Sequence, residues 1–232
     1  MKRGKLIVID GTDGSGKATQ TKLLFDKLKK NGQKAMIADF PQYGRKSASL
    51  VEEYLSGEFG SAEEVGPYRA SVFYACDRYA ASFKIKKFLD RGGIVISDRY
   101  VAANMGHQGG KIKSKEERKK YFKWLYDFEY EIFSIPKPDI NIILHIDAAL
   151  AQKLARSKRN KNYLKSKKRD IHEGDLRHLR DAEKIYTEIG KTFPGFAFIE
   201  CAEKGKIMSK QKISDLIWKK VEKIIQAYGR QI

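Results

Sequence analysis

Directly after the apolar run Leu6-Ile7-Val8-Ile9, and directly before a segment of helical spacing from Lys17 to Lys30, the chain reads Gly11-Thr12-Asp13-Gly14-Ser15-Gly16-Lys17-Ala18-Thr19. The pattern is Gly-x4-Gly-Lys set between a strand and a helix. Glycines at this spacing let the backbone curl so that successive N–H groups point inward, and the helix that follows adds partial positive charge at its start. Such a turn needs a buried strand behind it and a helix in front, which commits the chain to an α/β architecture. Lys17 is then placed to neutralise terminal phosphate oxygens. The residue after Lys17 is Ala18, where the pattern has a Ser or Thr hydroxyl for Mg²⁺, and Thr19 comes one position late. Two readings stay open: a degenerate phosphate site, or a working one whose metal is held by carboxylates elsewhere through water.

Four more apolar runs read as buried strands, so the expected set is Leu6 to Asp10, Lys34 to Phe40, Ile94 to Asp98, Ile140 to Ile146 and Phe196 to Cys201. Helical spacing fills the intervals: Lys17 to Lys30, Tyr68 to Asp90, Tyr121 to Phe133, Ala148 to Lys158 and Asp175 to Ile189. Strands alternating with helices imply parallel pairing through right-handed crossovers. The expectation is a three-layer, doubly wound, five-stranded parallel sheet of the P-loop NTPase type, with ligands at the strands' carboxyl ends. At 232 residues, with no repeat and no Pro- or Gly/Ser-rich linker, the chain suits one domain spanning 1-232. Gly109 to Lys123 and Arg156 to Arg169 are densely basic and read as solvent-facing, mobile segments. The second is the core of a basic lid over about residues 156–173.

The formal net charge is +18. That surplus favours anionic partners such as phosphorylated metabolites, nucleic acid or acidic lipid, although much of it reads as solvated helix face. No apolar run approaches the roughly 18 residues of a membrane span, and no leader is expected. Cys76 and Cys201 lie far apart with no metal-ligand spacing around them, which suits a reducing, cytoplasmic setting.

The third strand ends in Ser97-Asp98-Arg99-Tyr100, which puts a carboxylate and a guanidinium beside the phosphates expected on the first loop. Asp98 is a candidate Mg²⁺ ligand. Arg99 can grip an acceptor phosphate with its planar fork better than a lysine can.

Taken in order, Gly11 to Thr19 with Asp13 inside the loop, Phe40-Pro41, Tyr74-x-x-x-Arg78, Asp98-Arg99-Tyr100 and Asp170-x-x-Glu173 resemble thymidylate kinases, a family of P-loop nucleoside monophosphate kinases. The resemblance implies transfer of the γ-phosphate of ATP to dTMP, giving dTDP and ADP, with Mg²⁺ bridging the phosphates. By the same resemblance, residues 11–19 (Gly11, Thr12, Asp13, Gly14, Ser15, Gly16, Lys17, Ala18, Thr19) hold ATP, and Asp13 accepts the 3′-hydroxyl of the acceptor sugar. Tyr74 stacks on thymine and Arg78 bonds a pyrimidine carbonyl. Phe40 and Pro41 shape the turn that carries a basic residue to the acceptor phosphate, either Arg45 or Lys46, with Arg45 preferred. Asn104 and Gln108 are implied base contacts, while His107 stands where the family has an aromatic beside the sugar's 2′ position. Because the loop has Gly14 where some members carry an arginine, the catalytic cation is expected from the lid. The candidates are Arg156, Arg159 and Arg169, with Arg169 preferred. Asp170 and Glu173 are implied to bind Mg²⁺ through water, and adenine to lie near Ala202 to Lys206. The family also implies a homodimer. Two alternatives remain at this stage: a kinase for another deoxynucleoside or nucleoside monophosphate, and a non-catalytic nucleic-acid-binding P-loop protein. The chain carries no helix-turn-helix or RNA-binding signature to favour the latter.

Overall fold

The computed structural model describes residues 3–159 and 176–229. Its centre is a sheet of five parallel strands, β1 (Lys5–Gly11), β2 (Ala35–Asp39), β3 (Ile94–Asp98), β4 (Ile140–His145) and β5 (Phe196–Glu200), in the order β2-β3-β1-β4-β5. Every strand expected from the sequence is present within a residue or two of its expected ends. The run Leu6 to Ile9 is apolar without alternation because both faces of β1 are covered. Leu6 and Val8 turn to one layer with Val95 and Ile143, and Ile7 and Ile9 turn to the other with Ile94, Ile96, Ile142 and Leu144.

Beneath the second layer lie α1 (Lys17–Lys30) and α8 (Lys210–Gly229). Leu24 and Leu28 meet the sheet from α1, and Ile213, Ile217 and Val221 repeat every four residues along α8. The first layer is closed by α3 (Ala62–Asp90), α4 (Val101–His107), α5 (Lys115–Tyr126) and α7 (Leu176–Thr192). A short α2 (Ser49–Leu55) builds a satellite cluster with Val65 and Ala70, and α6 (Ala148–Arg159) follows β4. Helices α2, α4 and α8 are absent from the sequence reading.

Local chemistry sets where these helices begin. Ser61 opens α3 with a capping box in which its hydroxyl accepts from Glu64 N–H and the Glu64 carboxylate accepts from Ser61 N–H. Gly66, at φ 73°, then interrupts the helix, and Pro67 restarts it. The continuous part therefore begins close to the expected Tyr68. Ser114 caps α5 by accepting from Glu117 N–H at 3.3 Å. That cap corrects two expectations. Gly109 to Lys123 is not a mobile arm, since Tyr121 and Phe122 are buried in the core and Gly109 lies against the Phe122 ring. The helix expected over Tyr121 to Phe133 starts at Lys115, ends at Tyr126 and continues as a wider π-helical turn over Asp127–Ile132. Among the described residues, no helix is long and apolar enough to cross a membrane.

Candidate active site

The loop between β1 and α1 is held shut by its glycines. Gly11 has φ 140°, and a Cβ there would lie 2.4 Å from the Leu144 carbonyl oxygen. Gly14 has φ 87°, and a Cβ there would lie 2.4 Å from the Ala151 carbonyl oxygen. Neither position accepts a side chain, because both the backbone angle and a neighbouring main chain forbid it. Lys17 turns back over this loop, its Nζ donating to the carbonyls of Gly11 at 3.1 Å and Thr12 at 3.0 Å and standing 3.6 Å from the Asp13 carboxylate. Burial, with the Arg99 charge nearby, holds its pKa below the ordinary lysine value. The hydroxyls of Thr12 and Ser15 are buried with no hydrogen-bond partner. Unpartnered buried hydroxyls in a glycine-rich strand-to-helix turn are the polar groups that a phosphate-binding loop offers an anion.

The ends of β1, β2 and β3 carry four charged side chains to the same edge. Asp98 is in register with Ile9 on one side and Asp39 on the other. It is 8% exposed, and burial raises its pKa to about 6 against the pull of Lys17 and Arg99. Arg99 adopts φ 64°, a left-handed conformation that is costly for a side chain of this size, and Ser97 Oγ steadies it by donating to the Arg99 carbonyl at 2.6 Å. Its Nη2 pairs with the Asp13 carboxylate, joining the acidic strand end to the phosphate loop. Arg99 in turn holds the Asp13 carboxyl well below the usual carboxylate range. On the opposite face of β1, Asp10 is fully buried and accepts from Gly11 N–H at 2.9 Å and from the Tyr186 hydroxyl at 2.8 Å. Desolvation raises its pKa.

On the acceptor side, Phe40-Pro41 is a cis peptide that follows β2 directly, with the Phe40 ring 5.8 Å from Tyr100. Gln42 turns inward to Asp77, its N–H donating at 2.8 Å and its Nε2 at 3.1 Å. Arg45 and Lys46 are exposed beyond that turn. Tyr74 is half-buried and meets the buried Tyr54 ring edge-on at 6.3 Å. Asn104 and Gln108 are buried on and just after α4; Asn104 Nδ2 donates to the Ser71 carbonyl at 3.2 Å, and Gln108 Oε1 has no partner.

Arg78, implied to meet the base, is also tied into the protein interior. It is 1% exposed, and its Nε and Nη2 both donate to the carboxylate of Glu129, which is itself fully buried. The remaining nitrogen, Nη1, makes a long bond of 3.4 Å to the Tyr100 carbonyl. Two of the three guanidinium nitrogens therefore lock α3 to the π-helical turn after α5, and only Nη1 is left for a pyrimidine carbonyl. The guanidinium is therefore half of a buried ion pair, because a cation this far from water needs a carboxylate beside it.

Arg169, Asp170 and Glu173 lie outside the described residues. Arg156 and Arg159 are on α6, but their side chains also lie outside them. The segment expected to meet adenine is a small hairpin of β6 (Ala202–Glu203) and β7 (Lys206–Ile207), turned by Lys204 and Gly205 at φ 48° and 73°. Asp10, Asp39, Glu129, His178 and Tyr186 were not anticipated. Asp10 and Asp39 are the last or next-to-last residues of strands, and that position alone was a readable signal. Glu129, His178 and Tyr186 reach their partners only through tertiary contacts across 51, 71 and 176 residues.

A family model described as thymidylate kinase matches residues 9–213. The thymidylate kinase of Mycobacterium tuberculosis is 29% identical over 185 residues, covering 79% of this chain and 85% of that one. Its counterpart from Schizosaccharomyces pombe is 26% identical over 191 residues, covering 82% of each. Among solved structures, a thymidylate kinase from Candida albicans superposes with a TM-score of 0.67 at 21% identity, over 95% of this chain and 92% of that one. The match runs from the last residues of β1 into α8, so it takes in the phosphate loop, the acidic end of β3 and the acceptor wall together. The chain belongs to the thymidylate kinase family, which are ATP-dependent nucleoside monophosphate kinases.

Proposed function

We infer that this kinase transfers the γ-phosphate of ATP to dTMP, giving dTDP and ADP, through a site in which Lys17 and the loop amides hold the donor and Arg99 and Asp13 hold the acceptor. The observation that carries this reading is the contact of Arg99 with Asp13, with Lys17 3.6 Å from the same carboxylate. Donor and acceptor ligands are thereby brought to one point at the carboxyl edge of the sheet. Phosphoryl transfer asks for positioning and charge neutralisation, and no covalent intermediate is needed. The acceptor phosphate replaces Asp13 on Arg99, and Asp13 turns to the 3′-hydroxyl. Tyr74, the weakly bonded Nη1 of Arg78, Asn104 and Gln108 face the base. Arg45 approaches the acceptor phosphate from the turn after Phe40-Pro41.

Mg²⁺ fits this donor set. Mg²⁺ takes one or two carboxylates and fills its remaining positions with water and phosphate oxygens. Asp98 is a buried carboxylate with no hydrogen-bond partner among those described, set beside the loop. When bound, the ion neutralises charge on the donor phosphates; Asp98 would hold it, with Asp170 and Glu173 through water. Ala18→Ser, which restores a hydroxyl at the helix start, should lower the Mg²⁺ concentration for half-maximal rate; an unchanged dependence would place Ala18 away from the ion.

A lid arginine supplies the charge that the loop lacks, since Gly14 leaves no room for one. Arg169→Ala is expected to lower kcat about 10²-fold or more with little change in the dTMP KM, with Arg156 and Arg159 as the alternatives. Normal turnover in all three single variants and the triple variant would remove the lid from the mechanism. The whole chain acts as one kinase domain, as a cytoplasmic homodimer. ADP release measured over dTMP, dUMP, UMP, dCMP, dGMP and thymidine tests the reading as a whole. The expected result is turnover with dTMP; no ADP with dTMP, together with salt-sensitive binding of DNA or RNA, would overturn it.

A further inference from the structure

His107 on α4 and His178 on α7 stand with Nδ1 of the first 3.3 Å from Nε2 of the second. Their rings stack at 5.4 Å between centroids and 23° between planes, and the Tyr186 ring meets His107 edge-on at 5.6 Å. The other nitrogen of His107, Nε2, lies 3.0 Å from Arg99 Nη1. These contacts fix the protons. A guanidinium only donates, so His107 Nε2 must accept and carries no hydrogen. The hydrogen of the neutral ring is then on Nδ1 and is donated to His178, whose Nε2 must also be bare. One proton arrangement satisfies the whole chain from Arg99 through His107 to His178. Desolvation, reinforced by the Arg99 charge, keeps His107 neutral by holding its pKa well below the ordinary histidine value.

We infer that His178 is a positioning residue for Arg99. By accepting from His107 Nδ1 it selects the His107 tautomer whose Nε2 receives the guanidinium, and so aims the Arg99 fork at the acceptor phosphate. The inference rests on the reading of Arg99 as the acceptor-phosphate ligand. The fork is pinned at both ends, by Asp13 on Nη2 and His107 on Nη1. Once the phosphate displaces Asp13, the histidine end is the anchor that persists. Without an acceptor at 178, the opposite tautomer would turn an N–H toward Arg99, donor against donor, and the fork would lose that anchor.

Two substitutions separate this role from packing. His178→Phe keeps a stacked ring and loses the acceptor; His178→Gln loses the ring and keeps an acceptor at similar reach. The Phe variant should raise both the dTMP KM and the dTMP Kd, measured by calorimetry without ATP, by about tenfold, with kcat at saturation within about twofold and the ATP KM unchanged. The Gln variant should stay within about threefold of wild type. His107→Gln offers Arg99 an amide oxygen that needs no help from α7, so in that background His178→Phe should add little. Wild-type dTMP binding in the Phe variant, equal losses in Phe and Gln, or additive losses in the double variant would each overturn the inference. A wild-type protein that binds ATP but no dTMP would instead overturn the acceptor-site reading, and the inference with it.

Discussion

Asp98 sits almost out of water at the end of β3, where its chemistry requires a charge and its surroundings resist one. With a folded pKa of about 6 against an ordinary value of 3.8, the carboxyl takes up a proton on folding over the window between them. A raised acid pKa contributes stability that is complete below about pH 4 and is lost as pH rises through about 6. At neutral pH the shift of about two units corresponds to about 3 kcal/mol of destabilisation. Asp98→Asn should therefore raise the thermal midpoint of the unliganded protein at pH 7.5 by several degrees while reducing kcat by orders of magnitude. The gap between the two melting curves should close on going to pH 4; a constant gap would locate the effect in packing instead of charge. Lys17 shows the same conflict with opposite sign, since burial disfavours its ammonium. Lys17→Ala should keep the fold and lose turnover, and near-normal rates would refute its contact with the donor phosphates.

Helix α6 presses its main chain onto the phosphate loop, and that contact decides what the loop can carry. A Cβ at residue 14 would meet the Ala151 carbonyl at 2.4 Å in a left-handed backbone. Gly14→Ala is expected to cost at least about 2 kcal/mol and to weaken ATP binding, and Gly14→Arg to unfold the loop without supplying a cation. Denaturant melts and ATP titration check both. A second element-level prediction concerns the pairing of α3 with the π-helical turn. Removing either member of the buried Arg78–Glu129 pair strands the other charge, so Arg78→Ala and Glu129→Gln should each cost about 3–5 kcal/mol. A paired replacement by apolar residues should cost less than the sum. An Arg78→Ala variant of unchanged stability and raised dTMP KM would restore the simple base-contact role. These elements also show what could be read from sequence. The three inner strands β1, β3 and β4 were legible because burial on both faces writes itself as a run rich in Val, Ile and Leu, and the loop because its glycines are spaced by backbone geometry. Helix α8 repeats Ile213, Ile217 and Val221 as plainly, but it lies outside the strand–helix–strand alternation on which the other helices were read. The Glu129 end of the Arg78 pair, and the His178 end of the His107 chain, were not legible at all. A side chain's partner across the fold leaves no local periodicity.

At the scale of the whole molecule, a charge of +18 surrounds a site whose two substrates are both polyanions. Long-range attraction should speed their capture at low ionic strength and fade as the screening length shrinks. From about 0.05 to about 0.5 M salt, kcat/KM for ATP and dTMP is expected to fall several-fold, while the affinity of uncharged thymidine changes by less than about twofold. Equal sensitivity of thymidine would assign the effect to the fold. The far-reaching feature at this scale is the hydrogen bond from Tyr186 to Asp10, which spans 176 residues. Asp10 is synthesised 176 residues before its partner. Until α7 arrives, a carboxylate destined for the interior stays open to water, and the loop that begins beside it lacks its backing. Local pieces, the β1 strand and the α1 helix among them, can form early, but closure of a contact across 176 residues comes later and more slowly. Catalytic competence thus waits on α7. A nascent or truncated product that stops before α7 carries the complete nucleotide-binding motif yet leaves the edge of the sheet beneath it unbraced.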